Sequence, residues 1–174
     1  MSSAARPPLR ARFVRTVGER DRVYVRRSDG SETSWVFPSF GDGLPHDLVH
    51  LVVEQDFGVR DGFWGRVDRG VEPAAINAEA NRVGGKGKYA GFGPDLQQLL
   101  LAEVLANCGW FRPGADDEAR REEAARQCAE LGMDLPERVT VDALAQTDVR
   151  LHELQARWRA LKPKGTMDLE FAPG

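Results

Sequence analysis

The feature that most constrains the fold is a long alternation of apolar and polar residues, RARFVRTVGERDRVYVRRSDGSETSWVFPSF, from Arg10 to Phe40. A period of two sends successive side chains to opposite faces of a strand, so this stretch reads as a sheet with one buried face. Phe13, Val17, Val23, Val25, Trp35 and Phe37 form the expected inward set. Asp29-Gly30, between VYVRR and ETSWVF, is a hairpin signal. A second turn over Gly18 to Asp21 would complete a three-stranded meander. Near the other end TMDLEF alternates again, with Met167, Leu169 and Phe171 on one side. It is expected to return as a last strand of the same sheet.

Between these ends the period changes to that of helices. The stretch LPHDLVHLVVEQDFG begins a helix at Pro45, a residue suited to a first turn, and stops it at Gly58, a left-handed cap. VRDGFWGRVDRG then reads as a loop folded back on the core. Further helices are expected over EPAAINAEANRV, PDLQQLLLAEVLANCGW, DDEARREEAARQCAELG and TVDALAQTDVRLHELQARWRAL. The third of these is polar on most faces and belongs at the surface. In the last, Leu144, Leu151, Leu154, Trp158 and Leu161 make one apolar stripe. Strands, then helices, then a strand define an α+β fold: a small antiparallel sheet, from an N-terminal hairpin or meander plus a C-terminal strand, packed with about four to five helices. Residues 1–10 read as a flexible leader and 11–174 as a single domain.

Composition excludes more than it assigns. With 41% hydrophobic and 29% charged residues and a formal charge of −3, nothing pulls the chain as a whole toward nucleic acid or acidic membranes. From Arg6 to Arg27, however, eight arginines face only Glu19 and Asp21. This run reads as the solvated face of the hairpin; read otherwise, it is where nucleic acid or an acidic partner would bind. It lacks the interleaved aromatics of a single-strand platform, with only Phe13 and Tyr24 nearby. Cys108 and Cys128 make no disulfide framework, and Cys108 reads as a small buried hydrophobe. With no secretory signal and no apolar run near the ~20 residues of a membrane span, the expected compartment is the cytoplasm, away from the membrane.

Four polar groups on the first helix stand apart. At 100° per residue, His46 lies at 0°, His50 near about 40°, Glu54 near about 80° and Asp47 near about 100°. An ordinary helix flanking a sheet also carries a polar stripe, and these histidines would then only cap or pair. Yet every member of this stripe can ligate a metal. Imidazoles at i and i+4 can reach one ion, with Glu54 a turn further on. The string HDLVH resembles the zinc-peptidase motif HExxH, in which both histidines bind zinc and the glutamate activates water. The resemblance covers five residues, and Asp47 is one methylene shorter than that glutamate. It implies zinc or another divalent transition metal on His46 and His50, Asp47 in the catalytic place of the glutamate, and a third ligand further along the chain, for which Glu72, Glu79 and His152 are candidates; on helix geometry alone, Glu54 or His152 would complete the site.

Two other segments compete. In NRVGGKGKYAGFGP, Lys86, Lys88 and Tyr89 sit on the most permissive backbone of the chain, as a loop between helices or a lid touching a ligand. Phe63 and Trp64, with Arg66 beside them, either plug the core or form an interaction anchor. Two functions therefore stand: a non-catalytic domain that binds a protein partner or self-associates, and a divalent-metal protein with hydrolysis as its natural chemistry.

Overall fold

The computed structural model describes residues 6–16, 20–37, 41–82 and 94–174. Four strands, β1 (Leu9–Val14), β2 (Asp21–Arg26), β3 (Glu32–Phe37) and β4 (Thr166–Phe171), pair antiparallel in the order β3-β2-β1-β4. The meander and the returning strand are both present, and β1 takes up Leu9 and Arg10 from the expected leader. Phe13 stands opposite Val23 on one side and Met167 on the other, so one register carries the whole inward face. Leu9, Ala11, Phe13, Val23, Val25, Phe37, Met167 and Phe171 are buried, and Trp35 packs half-buried against them. Val17 lies outside the described residues. Gly30, at φ 88°, takes the left-handed turn position that the hairpin demands.

Six helices occur among the described residues: α1 (His46–Asp56), α2 (Phe63–Asp68), α3 (Pro73–Arg82), α4 (Pro94–Ala106), α5 (Asp117–Glu130) and α6 (Val141–Ala160). Five match the helical periodicity of the sequence. The addition is α2, where a loop was expected, and its cause lies in the site described below. As its pattern requires, α5 buries only Arg120, Ala124 and Cys128. No helix of the described residues is long and apolar enough to cross a membrane.

The arginine-rich run divides by register rather than forming one solvated face. Arg10 and Arg12 point outward and pair across the strands with Glu170 at 3.0 Å and Asp168 at 2.7 Å. Arg15 and Arg27 are buried. Arg15 donates to the carbonyls of Trp158 and Arg159 at 2.7 and 2.8 Å, closing the end of α6. Arg27 donates to the Val67 carbonyl at 2.6 Å, at the end of α2. Each adds a side-chain donor to carbonyls in the last turn of a helix, where intrahelical i+4 donors run out.

Candidate metal centre

Leu48, Leu51, Val52 and Val53 give α1 apolar residues around most of its circumference, and all four are fully buried. A helix apolar nearly all round is an interior helix. Accordingly, α1 packs against α2, α4 and α6 at once. Solvent reaches it only toward its ends, at His46 and Asp56, while in its middle His50 is 3% exposed and Glu54 0%. Buried polar groups of this kind need partners, since an unpaired one costs about 1–3 kcal/mol and a charged one more.

The four polar groups of α1 find different partners. Asp47 turns toward the sheet, where its Oδ2 accepts from the Trp35 indole at 2.9 Å. Glu54 turns to α2 and accepts from the backbone N–H groups of Phe63 and Trp64, both at 2.9 Å. His46 and His50 face α4, their ring centroids 4.8 Å apart. There they meet Glu103. His50 Nε2 lies 3.4 Å from Glu103 Oε1, and His46 Nε2 lies 3.9 Å from Glu103 Oε2. His50 Nδ1, on the other side of the ring, is 3.3 Å from Glu54 Oε1.

His46, His50 and Glu103 form a metal-competent cluster, with one ligand atom from each within 4.8 Å of the others. Bonds of about 2.0–2.1 Å in tetrahedral geometry place ligand atoms roughly 3.3–3.5 Å apart. The His50–Glu103 separation already meets that spacing, and His46, 3.9 Å from Glu103, would have to move closer. His46 and Glu103 are 45% and 42% exposed at their side chains, so the cluster has a dry side at His50 and a wet side at the other two. Three protein ligands with an open fourth position distinguish reactive metal sites from closed structural ones.

The electrostatics match that layout. Burial works against charge on His50, but its hydrogen bonds to Glu103 and Glu54 outweigh it and raise the ring to about 10. Burial also pushes Glu103 up, yet His46 and His50 hold it well below the usual carboxylate range. For Glu54 burial prevails and its pKa is raised, against His50 and the two backbone donors. Without a metal, Glu103 and Glu54 on either side of the ring both favour the protonated form of His50.

The residues expected to supply the third ligand are not in this cluster. Glu54 has both oxygens engaged at the start of α2, and the acid beside His50 Nε2 is Glu103. His152 sits half-exposed on α6, with Nδ1 2.9 Å from the Asp148 carbonyl and its ring against Phe111. Glu72 bonds Arg27 and Thr33, and the Glu79 side chain is not among those described. Asp47 faces Trp35 rather than the cluster, so it does not occupy the water-activating place of the peptidase glutamate. Phe63, Trp64 and Arg66 are buried: they plug the core and present no anchor. Lys86, Lys88 and Tyr89 lie outside the described residues.

Glu103 escaped the sequence reading because α4 is an apolar helix, LLLAEVLA, in which one glutamate looks like an ordinary surface residue. Its isolation in that run was the only available signal. Compared with protein-family models, curated proteins and solved structures, the chain matches none of them, and its function must be argued from this geometry.

Proposed function

We propose that the protein binds one divalent transition metal, zinc being the simplest fit, through His46, His50 and Glu103. The observation that carries this reading is the convergence of two imidazole Nε2 atoms and one carboxylate from two helices. Mixed nitrogen and oxygen ligands suit zinc and its transition-metal neighbours better than calcium or magnesium, which prefer oxygen alone. His46 and Glu103 are half-exposed, so solvent reaches that side of the cluster. The chemistry that a metal supplies in such a position is Lewis-acid activation of bound water, so hydrolysis is the natural reaction class.

The other reading, a partner-binding domain without catalysis, has no exposed aromatic anchor in the loop that suggested it. The exposed large apolar side chains among the described residues, Tyr24, Val36, Val71, Phe111 and Val149, are spread over separate elements. Metal analysis of protein purified without an affinity tag tests the metal reading. About one equivalent is expected in the wild type, falling to background in His50→Ala and in Glu103→Ala. A wild type that neither retains metal nor binds added zinc overturns it.

A further inference from the structure

Glu54 ligates nothing in this arrangement, yet it is fully buried between the candidate centre and the start of α2. Gly62, the residue before α2, has no side chain to cap that helix. Glu54 caps it from nine and ten residues upstream, accepting from Phe63 and Trp64. The Trp64 indole in turn donates to the Asp47 carbonyl at 2.7 Å, so α2 is tied to α1 at two points about two turns apart. The fit leaves no slack. A Cβ at Gly62 would stand 2.6 Å from Glu54 Cδ and within 2.9 Å of both its oxygens.

Two of the groups that contact the Glu54 carboxyl are therefore fixed backbone donors, and the third is His50 Nδ1, 3.3 Å from Oε1. An oxygen that accepts from a backbone N–H already has its lone pairs directed at donors, and it presents acceptor character to the imidazole. A proton on Nδ1 satisfies that contact, and when a metal displaces the proton from Nε2 it leaves that nitrogen to ligate beside Glu103. Ligand histidines are commonly held by such a carboxylate on the ring nitrogen away from the metal, which fixes tautomer and ring plane.

We infer that Glu54 is a positioning residue of the metal centre, which sets His50 in its Nδ1–H tautomer for ligation through Nε2 and makes the start of α2 a structural part of the site. This inference rests on the metal reading above. It assigns Gly62 a role as well: the absence of a side chain there is what lets Glu54 serve α2 and His50 together. The site's affinity is thus governed from a segment that supplies no ligand.

Zinc affinity should be measured by competition with a chromophoric chelator for the wild type, Glu54→Gln and Gly62→Ala, with folding checked by circular dichroism. The expected loss is about 10–100-fold in each variant, the usual effect of removing such an outer carboxylate. In parallel, the zinc-loaded wild type labelled with 15N at histidine should show His50 with a protonated Nδ1 and a ligated Nε2. A purely structural Glu54 would not dictate that signature. Wild-type zinc binding together with a folded Glu54→Gln of unchanged affinity overturns the inference while leaving the metal centre standing. Ligation through Nδ1 overturns it even if both variants fail to fold. A wild type that binds no zinc removes the centre itself.

Discussion

His50 and His152 begin from the same local arrangement and end in opposite situations. Each has a carboxylate one helical turn away, Glu54 after His50 and Asp148 before His152. On α6 the ring lies half in solvent, beside its own helix's backbone and the edge of Phe111. On α1 the ring is enclosed and meets a second acid from another helix. An i,i+4 acid–histidine pair is common on helix surfaces and contributes little there. What turns one into a candidate centre is the packing of α4 and α2 against it.

The widest separation between the two regions should come from removing each acid. Glu54→Ala leaves two backbone N–H groups unpaired at the start of α2 and His50 with one partner fewer. Breaking a buried pair in this way costs about 3–5 kcal/mol, to be read as a lower midpoint in urea unfolding. Asp148→Ala should cost less, because its partners Arg120 and His152 retain other contacts. Equal losses would mean that burial does not separate the two sites.

Next comes pH, in protein stripped of metal by a chelator. His50 has a folded pKa raised to about 10 from 6.5, so its contribution to stability is fully present below about pH 6.5. It is lost progressively as the pH rises through the folded value. Stability should therefore fall between pH 7 and pH 10 in the wild type and in His152→Ala, and fall less in His50→Leu. A flat wild-type curve over that window would break the assignment of His50 as a bridging cation. The smallest effect belongs to His152→Ala itself: within about 0.5 kcal/mol in stability, as for surface substitutions generally, with zinc binding unchanged. Loss of zinc in that variant would bring His152 into the site and collapse the contrast.

Legibility in the sequence followed the range of the interactions. The sheet was readable because alternation is local, and β4 because TMDLEF repeats the inward pattern of β1 three residues to a face. His46 and His50 were readable as ligands because their spacing is a property of one helix. Their third partner was not, since Glu103 is brought to them by the crossing of α1 and α4. The same limit explains α2. FWGRVD has no capping residue of its own, and the acceptor that starts it is Glu54, on the preceding helix. Arg15 and Arg27 were misread as surface for a matching reason: the carbonyls they satisfy belong to α6 and α2.

The contact between Gly62 and Glu54 also carries a constraint on how such a chain can vary. Position 62 can accept a side chain only if position 54 gives up its reach, and position 54 can shorten only by abandoning the start of α2. The two positions are therefore expected to change as a pair, and a library randomised at both should return glycine at 62 wherever glutamate survives at 54.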